Sequence, residues 1–137
     1  MTVVHEGKNS DFQISWTGDI TEQLIKAHQD EKQTTEFGAL AVALLLVREL
    51  TEYTAVEQAS IGTTIDYYLR RQGADEDLIF NHSARLEVSG ILRETEQNTV
   101  EGRIKQKLKR LKRERDLFDF IVVVEFSRPW TKMVRHE

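Results

Sequence analysis

The stretch ARLEVSG, residues 84–90, alternates as a strand with one dry side does, and its other side carries Glu87 and Ser89. Upstream, in TTIDYYLR (63–70), the same period of two puts Ile65, Tyr67 and Leu69 on one face and leaves Asp66 on the other with Thr64 and Tyr68. If both strands bury their greasier side in one layer, Asp66 and Glu87 project together. Two carboxylates held close resist ionising together unless a cation sits between them, and hard oxygen ligands of this kind suit Mg²⁺ or Mn²⁺. An open sheet face on which these acids pair with Arg70 or Arg85 across strands is the alternative reading.

Two helical patterns supply further candidates. In the first, Glu36 lines up with Leu40, Ala43 and Val47, which sets a carboxylate at the end of an apolar stripe, and Glu49 lies beside Val42, Leu45 and Leu46. Glu36 also suits the plainer role of a first-turn acid complementing the helix dipole. In the second, Val100, Ile104, Leu108 and Leu111 form the dry stripe, and Lys107 falls inside it on a helical wheel. A lysine there needs a carboxylate partner, such as Glu114 on its own helix, or a route to water. The neighbouring Arg103, Lys105, Lys109, Arg110, Lys112 and Arg113 are candidates to hold nucleic-acid phosphates.

The elements that must position these groups follow from the pattern. TVVHEG and DFQISW, separated by KNS, predict an N-terminal hairpin, and Asp19 a helix cap for DITEQLIKAH. Thr34 is expected to cap a longer helix that is apolar or small nearly all round through Val47. YTAVEQA (53–59) and TTIDYYLR, joined at SIG, predict a strand hairpin. The third strand is clearest over 84–92, TEQNTVEG supplies breakers and caps before the basic helix, and FDFIVVVEF (118–126) reads as a strand buried on both faces. The expectation is an α/β (α+β) chain with a mixed central sheet whose core runs helix, strand, strand, strand, helix, strand. It is read as a single domain, 1–137, with residues 1–33 as an extension, 34–127 as the core and 128–137 as a tail.

The totals bound the function. A chain of 137 residues can bury a core without staples, and it has no cysteine, so disulfides, thiolate metal sites and a cysteine nucleophile are excluded. A cytoplasmic setting is expected on that ground. No secretory leader is read at the N-terminus, and the longest apolar run, 37–47, falls well short of the roughly 20 residues that span a bilayer. Residues 103–115 carry eight Lys or Arg against one Glu, a net +7 that leaves −11 on the remainder of a chain whose total is −4. His5, His28, His82 and His136 show no zinc-type spacing, and the aromatic residues are too scattered for a base-stacking platform.

These residues together resemble the PD-(D/E)xK nuclease-like superfamily, the restriction-endonuclease and Holliday junction resolvase-like fold, over about 34–127. The resemblance implies Mg²⁺ or Mn²⁺ held by Glu36, Asp66 and Glu87 with the Val88 carbonyl, and phosphodiester hydrolysis in DNA. Ser89 stands where the family's triplet has lysine, so the catalytic set implied here is Asp66, Glu87 and Ser89, with Lys107 supplying the cation from the following helix. A nuclease-like scaffold without catalysis, binding protein or nucleic acid, is the second expectation. The expected partners are DNA and a second copy or another protein, and no membrane.

Overall fold

The run FDFIVVVE forms a strand buried at all but its first position because its apolar residues face dry layers on both sides. In the computed structural model, which describes residues 1–59, 66–73, 84–111 and 117–137, that strand is β6. In chain order the elements are β1 (Thr2–His5), β2 (Lys8–Asp11), α1 (Glu22–Ala27), α2 (Glu31–Leu50), β3 (Tyr53–Gln58), β4 (Tyr67–Arg71), β5 (Ala84–Ile91), α3 (Val100–Arg110), β6 (Phe118–Glu125) and β7 (Trp130–His136). The strands form one mixed sheet ordered β2-β1-β7-β6-β5-β4-β3. β3, β4 and β5 meander antiparallel, and β6 returns parallel to β5 through α3. The expected helix, three strands, helix, strand order is therefore present, and the fold is mixed α+β with a curled sheet and, among the described residues, three helices.

α2 and α3 each dry one face of the sheet. α2 lays Ala39, Val42, Ala43, Leu46 and Val47 against Leu69, Leu86, Val88, Phe120 and Val122, where the tilted rings of Tyr53 and Phe120 meet at 5.6 Å between centroids. On the other face, Val100 and Ile104 of α3 close over Ile91, Ile121 and Val123, with Leu108 and Leu111 at the margin. Odd-numbered residues of β5 thus face α3, which fixes the side on which Glu87 and Ser89 lie.

Gly90 sets how closely α2 approaches β5. A Cβ there would stand 2.6 Å from the Thr35 carbonyl oxygen and 3.0 Å from the Ala39 methyl. Gly90→Ala is expected to lower stability by about 1–3 kcal/mol through overpacking, read as a shift in the chemical-denaturation midpoint. An unchanged midpoint would show that α2 is free to back away.

Several boundaries differ from the sequence expectation. α2 begins one turn earlier, since the Asp30 carboxylate accepts from the Gln33 N–H at 2.8 Å. Thr34, the expected cap, lies inside the helix and donates its hydroxyl to the His28 carbonyl. Thr21 rather than Asp19 caps α1. The first hairpin turns at Glu6–Gly7, both with positive φ, and KNS belongs to β2; glycine at the second turn position decides this. The expected tail contains β7, paired antiparallel with β6 and parallel with β1. Its turn is fixed by the buried Glu125 carboxylate, which accepts from the Ser127 N–H and hydroxyl and from the Arg128 N–H. Burial alone would raise the pKa of Glu125, but these bonds together hold it below the usual carboxylate value. Residues 60–65, 78–83 and 112–116, on which parts of the expected strands and basic helix fall, lie outside the described residues. Among the described residues no helix is long and apolar enough to cross a membrane.

Candidate active site

β5 is paired on one side with β6 along its whole length, Ala84 with Phe118 through Ile91 with Glu125. On the other side β4 accompanies it only from Ala84 to Leu86. At that parting the chain places Asp66, whose N–H donates to the Leu86 carbonyl at 3.0 Å while its own carbonyl accepts from the Ala59 N–H. Its carboxylate oxygen Oδ2 then accepts from the Val88 N–H at 2.6 Å, standing in for the strand partner that β5 lacks there. In a strand the N–H and C=O of one residue project to the same side, so the Val88 carbonyl faces this same open edge.

Glu87 lies across this edge, on the α3 face, and is only 6% exposed. Lys107 reaches it from α3, with Nζ 2.6 Å from Oε1. The misplaced lysine of the helical wheel thus has a buried carboxylate partner. That partner is Glu87, while Glu114 lies outside the described residues. The second oxygen of Glu87, Oε2, is buried without a hydrogen-bond partner. Burial raises the pKa of Glu87, the hydrogen bond and charge of Lys107 oppose the rise, and the nearby Asp66 carboxylate adds to it.

Ser89 is buried on the same face one pleat further on, and a second cation reaches it. The Arg103 guanidinium donates to the Ser89 hydroxyl and, at 2.9 Å, to the Gly90 carbonyl, while its Nε donates to Asn98 Oδ1 at 2.8 Å. It also stands 3.8 Å from Glu36 Oε1. Sequence reasoning assigned Arg103 to the phosphates and missed this buried contact. The signal was its position four residues before Lys107, on the same side of α3.

Some expected roles change. Glu36, expected as a metal ligand, is turned toward Arg103, with its side chain 45% exposed. Glu49 lies at the far end of α2, beside Phe12, Ile14 and Leu45, and takes no part here. Arg85, offered as a partner for Asp66 or Glu87, forms a buried bidentate pair with Asp119 at 2.6 and 2.9 Å, because the parallel register sets those two side by side. The open-face alternative fails at Glu87, which is neither exposed nor paired with Arg70 or Arg85.

Beside the acids runs a groove of about 630 Å³ along α3, into which Arg103, Lys105, Lys107, Lys109 and Arg110 contribute. Among the described residues no acidic or aromatic side chain lines it. Lys112 and Arg113, expected to extend this surface, lie outside the described residues.

Among the described residues no three His, Asp or Glu side chains converge to hold a metal ion. The Asp66 carboxylate bears electrostatically on Glu87, Glu87 carries a buried orphaned oxygen, and the Val88 carbonyl faces the edge at which the Asp66 carboxylate is held. This donor set fits a Mg²⁺-type ion, which is held by one or two carboxylates and completes its shell with water and phosphate. No family model matches the chain, and neither a curated protein nor a solved structure matches it.

Proposed function

We propose that the chain is a metal-dependent phosphodiesterase of PD-(D/E)xK type, with a restriction-endonuclease-like core, acting on DNA. The observation that carries this reading is the 2.6 Å contact between Lys107 Nζ and Glu87 Oε1 at an edge shared with Asp66. It supplies the cation that Ser89 cannot, from the helix that follows the strand. The element order from α2 to β6 supports the same reading.

Asp66, Glu87 and the Val88 carbonyl would hold Mg²⁺ or Mn²⁺, which when bound polarises a phosphoryl oxygen and makes a nucleophile of water at neutral pH. Lys107, anchored by Glu87, is set to orient the attacking water and to offset charge developing on the phosphate. Lys105, Lys109 and Arg110 keep neighbouring phosphates in the groove beside acids that would otherwise repel them. Arg103 braces α3 against β5 through Ser89 and Gly90, which fixes the height at which Lys107 enters.

A second reading, a nuclease-like scaffold that binds a partner without cleaving, draws on one observation: Arg103, rather than an open seat, lies between Glu36 and Ser89. Incubation of the purified chain with duplex and single-stranded DNA and RNA separates the two. The first reading expects cleavage with Mg²⁺ or Mn²⁺ that EDTA stops and excess metal restores. Salt-sensitive binding without cleavage or Mn²⁺ uptake would overturn it in favour of the scaffold.

A further inference from the structure

Glu87 offers its two oxygens on unequal terms. Oε1 receives Lys107 Nζ at 2.6 Å, whereas Oε2 is buried and has no hydrogen-bond partner. Both side chains of the pair are mostly buried, so the charge of the ammonium is weakly screened on the Oε1 side. The helix that carries Lys107 is held in place. Val100 and Ile104 pack over Ile121 and Val123, and Arg103 donates to the Ser89 hydroxyl and the Gly90 carbonyl. The ammonium therefore stays at Oε1 by the packing of α3 as well as by its own charge.

This asymmetry discriminates between divalent ions. Ca²⁺ gathers six to eight oxygens and commonly takes a carboxylate by both of them, whereas Mg²⁺ takes six at shorter range and keeps several waters. Chelation by both oxygens of Glu87 would bring a doubly charged ion against the atom that already holds Lys107, where two positive charges repel strongly in a dry setting. Contact through Oε2 alone leaves the carboxylate between the two cations. Other acids that could widen the shell are committed elsewhere. Glu36 is turned toward Arg103 at 3.8 Å, and the Asp66 carboxylate gives Oδ2 to the Val88 N–H. The donors left are Glu87 Oε2, the Asp66 carboxylate and the Val88 carbonyl, a set suited to an ion that keeps much of its water.

On the premise of the metal site proposed above, we infer that Lys107 also selects the ion: by holding Oε1 it confines Glu87 to one-oxygen contact through Oε2, which favours Mg²⁺ and Mn²⁺ over Ca²⁺. Selection is thus set from α3, by a residue that is not itself a ligand. A lysine that merely added positive charge to the site would weaken every divalent ion alike. One that blocks chelation weakens most the ion that needs it.

Titration calorimetry of the purified chain with Mn²⁺ and with Ca²⁺ reads the selection without any substrate. The native chain is expected to bind Mn²⁺ more tightly than Ca²⁺. Lys107→Met frees Oε1, and both affinities should rise, that for Ca²⁺ by about 10-fold more than that for Mn²⁺. Lys105→Met removes the same charge from the groove without touching Glu87 and should leave the ratio of the two affinities as it is. Infrared difference spectra of the native chain with Mn²⁺, assigned through Glu87→Gln, read the contact itself and need no change at position 107. The two carboxylate stretches of Glu87 should show the wide splitting of one-oxygen contact. Ca²⁺ bound by the native chain as tightly as Mn²⁺, a ratio that Lys107→Met leaves unchanged or Lys105→Met moves as far, or the narrow splitting of chelation overturns the selection while the metal site stands. A native chain that takes up neither ion overturns the metal site, and the selection with it.

Discussion

Asp66→Ala and Glu87→Ala are expected to take divalent-dependent cleavage down to background, a fall of about 10³-fold or more. Lys107→Met should cost about 10²–10³-fold. Among the described residues no third carboxylate is present to compensate, so removal of either acid leaves one carboxylate and the Val88 carbonyl for the ion. Lys107 differs in kind, for the acids stay and the ion still binds, while the group that orients water is lost. The readout is therefore split: Mn²⁺ binding by calorimetry should vanish for both acid variants and persist for Lys107→Met, with single-turnover cleavage reduced in all three. Asp66 has a structural duty as well, because its carboxylate satisfies the Val88 N–H. Loss of that bond costs about 1–3 kcal/mol in Asp66→Ala. Asp66→Asn keeps an acceptor oxygen in place and so separates lost folding from lost chemistry. Full activity in Asp66→Asn with undiminished metal binding would end the proposed role of these acids.

Much of this edge was legible because strand alternation is a strict period. Once Leu86 and Val88 are given to the core, Glu87 and Ser89 must face the other way, and α3 is the element the basic pattern sends there. Lys107 was legible as an anomaly on its wheel, since a charged residue inside a dry stripe needs a partner that local sequence does not supply. The identity of that partner was not legible, because Glu87 and Lys107 meet through a crossover 20 residues long. Arg103 escaped for the same reason: its contacts with Ser89, Gly90 and Asn98 depend on the height of α3 over β5. The start of α2 was misplaced because Asp30 and Thr34 both make good caps, and only the fold decides which one has helical residues behind it. β7 was missed because WTKMVRH alternates with apolar residues on both sides. Trp130 and Val134 serve the α3 layer and Met133 the α2 layer, which a search for one dry face does not register.

The largest effect on stability is expected at the Glu87–Lys107 pair in the metal-free protein. Lys107→Met leaves a buried carboxylate without its counter-ion, which costs about 3–5 kcal/mol while that carboxylate is charged. The condition on charge gives the prediction its pH dependence. Burial, with Asp66 adding to it, already holds the pKa of Glu87 above its ordinary 4.5 despite Lys107, and removing Lys107 pushes it higher. A group whose folded pKa is raised contributes stability that is complete below its unfolded pKa and is lost as pH rises through the folded value. The deficit of Lys107→Met relative to the native chain should therefore be small at about pH 5 and grow toward about pH 8. Denaturant titrations in EDTA at the two pH values measure it directly. Glu87→Gln added to Lys107→Met removes the ionisable group and should recover most of the loss at the higher pH, with the pH slope flattened. A deficit equal at both pH values would mean that Lys107 acts through packing alone, and the charge coupling on which the active-site reading depends would fall with it.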